Sequence, residues 1–135
     1  MIRRGRSRHL VLLVGTCGAF LGAACARAPS AGDVSVTWAA EPTPPVVNAP
    51  MIAEVTLLDA TGKPVHGATL EIEGHMSHPG MAPVLATAEE RRDGVYAVRL
   101  QFPMAGDWIV LVKGSLPDGR TLNHRIDIAN VRPSG

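Results

Sequence analysis

Apolar and polar residues alternate with a period of two along much of the chain after residue 33, which is the spacing of half-buried β-strands. The alternating runs lie at residues 34–38, 54–57, 68–73, 96–102 and 122–128. Residues 108–112 are apolar on both faces and predict a central strand. No run in this part has a helical period, so the pattern predicts an all-β domain.

Turn residues separate these runs. Gly62, Asp93-Gly94 and Asp118-Gly119 are typical of tight turns, and the Pro-rich segment 41–50 predicts an edge or a connection because proline cannot donate to a strand ladder. The charged residues 89–93 are interpreted as a solvated loop. About seven short strands in one domain predict an immunoglobulin-like antiparallel β-sandwich.

The first 28 residues are of another kind. They begin with four arginines, continue through an apolar stretch from residue 10 to residue 21, and end in small residues. This order is typical of a secretory signal peptide, and the apolar stretch is shorter than the roughly 20 residues of a membrane-spanning helix. We therefore expect export from the cytoplasm, to the periplasm or cell envelope, and a single mature domain at residues 29–135.

Two cleavage schemes are open. Residues 21–25 resemble a bacterial lipobox, which would place a lipid anchor on Cys25 and hold the protein at the membrane. Cleavage after Ala28 would instead release a soluble protein. We favour the lipoprotein scheme. Both cysteines, Cys17 and Cys25, fall in the signal region, so no disulfide is expected in the mature domain.

Charge and motifs exclude several functions. The whole chain has a formal charge of +1, and residues 29–135 hold eight basic and twelve acidic side chains, so 8 − 12 = −4. A nucleic-acid surface would need clustered Lys and Arg, so no nucleic-acid partner is expected. The chain contains no G-x-S-x-G or H-E-x-x-H motif and no mature cysteine nucleophile. We do not expect an enzyme.

One short segment departs from the strand pattern because it combines imidazole and thioether groups. It contains His75, Met76, His78 and Met81. Thioether sulfur is a soft ligand for Cu(I), and imidazole binds both copper oxidation states. If the strand alternation continues, Met76 and His78 project to the core side and His75 to the opposite side. Met104 follows a later strand and could approach the same loop.

Two interpretations of this segment stay open. In the first, the five side chains bind copper for delivery or buffering, and the partner is an envelope protein that receives the ion. In the second, the methionines only fill the end of the core. The protein would then be a metal-free interaction module of an envelope or oxidase-assembly complex, which uses an exposed strand edge.

The motifs of the mature chain are similar to those of the YtkA-like domain, which is related to the FixH-like proteins. They are D-x-x-G-K-P-V-x-G-A at residues 59–68, H-M-x-H-x-G-M at 75–81, G-x-Y at 94–96 and M-x-G-x-W at 104–108. The resemblance implies an extracytoplasmic immunoglobulin-like module connected with copper handling. It implies copper ligation by the histidines and methionines named above.

Overall fold

The computed structural model describes residues 34–78 and 80–135. Seven strands follow one another along this part of the chain: β1 (Ser35–Glu41), β2 (Met51–Leu58), β3 (Thr69–Met76), β4 (Val84–Arg92), β5 (Val95–Leu100), β6 (Gly106–Ser115) and β7 (Thr121–Val131). Within these residues no helix is long and apolar enough to cross a membrane. The signal peptide and Cys25 lie outside the described residues.

The strands form one sheet, bent back on itself, in the order β1-β2-β5-β4-β3-β6-β7. Every neighbouring pair is antiparallel. Strand β4 joins the two layers, because its first half pairs with β3 and its second half with β5. The predicted all-β antiparallel sandwich of about seven strands is therefore confirmed, as a nearly closed sheet.

The core lies between the two layers and is filled by the inward residues of the alternation. Along β2, Met51, Ala53, Val55 and Leu57 are almost fully buried, whereas their neighbours in sequence are partly or fully exposed. Trp108, Tyr96 and Phe102 are the largest fully buried side chains. Apolar burial of this kind supplies most of the folding free energy of a small domain without disulfides.

Strand β4 corrects the interpretation of the charged run. Residues 89–92 belong to this strand, and Glu89 and Glu90 pair with Ala97 and Tyr96 of β5. The run looks like a loop because only Ala88 in this strand is buried, so the strand has almost no apolar alternation. All four charged residues are exposed, and a strand tolerates charged side chains that reach solvent.

The turn from β4 to β5 is tied to the segment before β3. Glu90 accepts hydrogen bonds from the backbone N–H of Gly67 at 2.9 Å and of Gly94 at 3.2 Å. The Tyr96 hydroxyl donates to the Val65 carbonyl at 2.7 Å and accepts from the Ala68 N–H at 3.0 Å. Burial of Tyr96 raises the pKa of its hydroxyl. These bonds hold the start of β3 in place.

The Pro-rich segment connects β1 to β2 at the edge of the sheet, as its prolines predict. It then crosses to the far end of β7: the Val47 N–H donates to the Arg132 carbonyl at 2.9 Å, and the Arg132 N–H donates to the Pro45 carbonyl at 2.8 Å. The two edge strands are thereby joined at one end.

Candidate functional site

The methionines predicted to bind copper come from the same end of the sheet. Strand β3 ends at Met76, which pairs with Trp108 near the start of β6. Because the two strands are antiparallel, the loop that leaves β3 and the turn that enters β6 must lie side by side. The first carries Met81 and the second carries Met104.

Met76 faces inward at this end. It is half-buried and packs against the core, on the same face of β3 as Leu70 and Ile72. A Cβ placed on Gly106 would lie 3.4 Å from Met76 Cε, so the thioether methyl rests against the turn that leads into β6. The backbone of Gly106 has a φ of +121°, a conformation that residues with a side chain rarely adopt.

The turn that carries Met104 is held by the buried aromatic pair beneath it. The indole N–H of Trp108 donates to the Met104 carbonyl at 3.0 Å. The rings of Phe102 and Trp108 lie 5.0 Å apart between centroids, at an angle of 54°. The Met104 side chain is 43% exposed, so its sulfur is within reach of solvent while its backbone is anchored.

The loop after β3 is fastened at its beginning. The backbone N–H and the hydroxyl of Ser77 both donate to the Asp107 carbonyl, at 3.1 and 2.9 Å. Because β3 ends at Met76, the strand alternation does not continue to His78, which is exposed in the loop rather than on the core side. Met81 is 39% exposed. This end of the sheet therefore presents one imidazole and two thioethers to solvent, above the half-buried thioether of Met76.

His75 lies on the opposite face of β3 from Met76, as the alternation predicts. Its Nε2 is 3.0 Å from Glu73 Oε2, and the same carboxylate oxygen accepts a 2.8 Å bond from Lys113 Nζ on β6. The bonds from Lys113 and then His75 hold the pKa of Glu73 below its usual value. The structure thus brings His75 into an ionic group away from Met76.

The sequence interpretation missed Glu73 and Lys113. Glu73 could have been found, because residues two apart in a strand share a face. Lys113 could not, because its position opposite Glu71 and beside Glu73 depends on the register between β3 and β6. Among the described residues, no group of three or more His, Cys, Asp or Glu side chains could hold a metal ion.

The other two histidines in the described part of the chain, His66 and His124, lie elsewhere. His66 is exposed in the turn before β3, with its Nδ1 3.1 Å from Glu90 Oε1. His124 is half-buried on the inward face of β7, opposite Val112. Neither belongs to the methionine end described above.

Comparison with known proteins bears on this arrangement. The family model described as YtkA-like matches residues 30–113, which is more than half of the chain. The chain belongs to the YtkA-like family. The match includes β1 to β5, the loop with His78 and Met81, and most of β6. No curated protein and no solved structure matches this YtkA-like chain.

Proposed function

We propose that this YtkA-like protein binds copper, as Cu(I), at the methionine end of the sheet and buffers or delivers the ion outside the cytoplasm. The observation that supports the proposal is the position of three methionines on two adjacent segments at one end of the sheet. Met76 ends β3, Met81 lies in the following loop, and Met104 lies in the turn before β6. The family match covers the sequence of all three.

The donor set fits Cu(I) better than harder ions. Thioether sulfur is a soft, neutral ligand, which prefers Cu(I), whereas Mg²⁺ and Ca²⁺ prefer oxygen and zinc sites are built from thiolate, imidazole and carboxylate. The half-buried Met76 would supply a fixed ligand. The exposed Met81 and Met104 would supply ligands that can exchange with those of a receiving envelope protein.

His75 and His78 are expected to differ in their contribution to copper binding. His78 is exposed in the loop and is free to turn toward the methionines. His75 faces the other side of β3 and would have to leave Glu73 to join them. Within the copper proposal, His78 is therefore the principal imidazole ligand, and His75 contributes only if the end of β3 rearranges.

Export and lipid attachment belong to the same proposal. A protein that receives and hands over copper in the envelope would benefit from being held at the membrane, and the order of residues in the segment 1–25 supports lipid attachment at Cys25. Mass spectrometry of the processed N-terminus distinguishes the lipidated Cys25 from a chain that begins at Pro29.

The copper proposal is tested by competition between the protein and a coloured Cu(I) chelator, with protein purified after expression of the full chain. Replacing both Met81 and Met104 with alanine should weaken Cu(I) binding at least about tenfold, which corresponds to about 1.4 kcal/mol. His78→Ala should weaken binding more than His75→Ala does.

The control is Ile52→Ala, which removes an apolar side chain of similar exposure, 48%, from the outer face of β2. It should bind Cu(I) like the wild type. If the wild type and the Met81/Met104 variant compete equally poorly, the copper proposal is wrong and the metal-free interaction module remains.

A further inference from the structure

The two edge strands leave an opening in the nearly closed sheet. Among the described strands, β1 pairs with β2 alone and β7 with β6 alone. Between them lies a groove of about 480 Å³, lined by Trp38, Ala40, Ile126 and Ile128 of the edge strands and by Pro44 and Pro45 of the Pro-rich segment. Its only charged lining residue in the described part of the chain is Asp127, which is paired with Arg125 at 2.7 Å.

The groove is a part of the core that the described strands cover incompletely. On β2 the inward residues are at most 1% exposed. On the edge strands, by contrast, Val36, Trp38 and Ala40 of β1 and Ile126 of β7 are only half-buried, although they point to the same interior. The described residues leave these side chains partly uncovered on the side where β1 and β7 face each other.

The direction of the edge strands indicates which kind of segment would fit in the groove. Seven strands that alternate in direction leave the first and the last running the same way, and the bridge between Val46 and Arg132, just beyond them, is parallel. β1 and β7 therefore cannot close the sheet by antiparallel pairing with each other. One additional strand that runs opposite to both would complete an eight-stranded, fully antiparallel sheet.

We propose that the groove between β1 and β7 binds an extended segment of another protein as an eighth strand. The free backbone N–H and C=O groups of an edge strand are the usual template for such strand addition, and the groove offers two edges at once. The segment runs antiparallel to both edges and places apolar side chains at every second position against Trp38 and Ile126. This site is independent of the copper proposal.

The length of the groove sets the length of the segment. Its walls extend over three residues of β1 and four residues of β7, roughly 10–13 Å at the usual rise per residue. The bonds between Arg132 and the Pro-rich segment close one end. A segment of about five residues fills the opening, with two or three apolar side chains facing inward.

The test uses a synthetic peptide with the sequence of β2, residues 51–58, because this sequence already forms a strand antiparallel to β1. Trp38 is the reporter, since the other tryptophan of the chain, Trp108, is only 1% exposed. Peptide binding should shift the Trp38 emission to shorter wavelength and slow amide hydrogen exchange in both β1 and β7. Trp38→Phe should abolish the emission change.

Two comparisons test where and how the peptide binds: one between two protein variants and one between two peptides. Ile126→Glu places a carboxylate in the groove and should weaken peptide binding at least about tenfold, because a buried unpaired charge is strongly unfavourable. Ile52→Glu, on the outer face of β2, should leave binding within about twofold of the wild type. A peptide with alternate backbone amides methylated should bind at least about tenfold more weakly, because alternate N–H groups of a strand point to the same side and the peptide can then donate to only one of the two edges. This second pair uses the unaltered protein, so it stands even if Ile126→Glu does not fold.

Three outcomes would overturn the proposal. Equal binding of the methylated and unmethylated peptides would mean that the groove is a general apolar pocket. Slowed exchange in one edge strand alone would mean that the segment is not held between the two. A protein that is dimeric without peptide, with β1 and β7 already protected from exchange, would identify the occupant as a second copy of this chain.

Discussion

At the scale of single residues, Tyr96 is a buried side chain that joins two parts of the chain distant in sequence. Its hydroxyl joins β5 to the segment before β3 through the Val65 carbonyl and the Ala68 N–H. We predict that Tyr96→Phe lowers the free energy of unfolding by about 1–3 kcal/mol, because both backbone groups lose a partner in a partly buried place. Urea denaturation measures the change.

Tyr96→Phe keeps the aromatic ring, so the decrease in the free energy of unfolding measures the contribution of the hydroxyl alone. Thr87→Val, which removes a hydroxyl from an exposed position on β4, is the control and should change stability by less than about 0.5 kcal/mol. A Tyr96→Phe variant as stable as the wild type would show that water replaces the hydroxyl at no cost.

At the scale of elements, the turn between β4 and β5 depends on glycine for two reasons. Gly94 has a φ of +69°, and a Cβ at this position would lie 2.8 Å from Pro64 Cβ and 2.9 Å from the Leu57 carbonyl oxygen. The positive φ alone is unfavourable for residues with a side chain by about 1–2 kcal/mol. In addition, an added Cβ would overlap with Pro64 and with the Leu57 carbonyl oxygen.

We therefore predict that Gly94→Ala lowers the free energy of unfolding by at least about 2 kcal/mol. Gly62→Ala is the matched control, because Gly62 has a φ of +81° but no atom within 4 Å of an added Cβ. Only the unfavourable backbone conformation affects Gly62→Ala, so denaturant titration should show a smaller decrease in its free energy of unfolding. Equal losses in both variants would mean that Pro64 moves aside freely.

At the scale of the whole molecule, ionised carboxylates stabilise turns within the fold, and Glu90 also joins two parts of the chain distant in sequence. Hydrogen bonds from the Gly67 N–H, then from the Gly94 N–H and His66, lower the pKa of Glu90. Bonds from Thr61 and Lys63 lower the pKa of Asp59, and bonds from Arg120 lower the pKa of Asp118. A carboxylate whose pKa is lower when folded stabilises the protein above its unfolded pKa.

The lowered pKa of Glu90 means that this carboxylate stabilises the fold less as the pH falls. The contribution of Glu90 is complete above its unfolded pKa of about 4.3 and is lost as the pH falls from there through its folded pKa. We predict that stability decreases over this acidic range and that Glu90→Gln makes the decrease shallower. Glu89→Gln, an exposed neighbour paired with Arg91, is the control. Thermal unfolding at a series of pH values measures both, and identical slopes for the Glu90 variant and the wild type would contradict the prediction.

The alternation of apolar residues was sufficient for most of the fold. The unbroken apolar run at residues 108–112 located β6, and the alternation located five other strands, since burial on one face of a sheet requires a period of two. It failed for β4, where small or charged residues replace the apolar ones and pairing with β3 and β5 defines the strand. The residues of the candidate copper site were also named from the sequence, and their role as ligands remains a prediction.

By itself, the sequence determined the fold class, the family and the opposite orientation of His75 and Met76, because these depend on local periodicity and local motifs. The tertiary structure decided which segments are neighbours. The pairing of β3 with β6 brings the loop with Met81 beside the turn with Met104, and the ionic group of Glu73, His75 and Lys113 depends on the same register. The groove between β1 and β7 exists because the sheet bends until its two edges face each other, which no local pattern encodes.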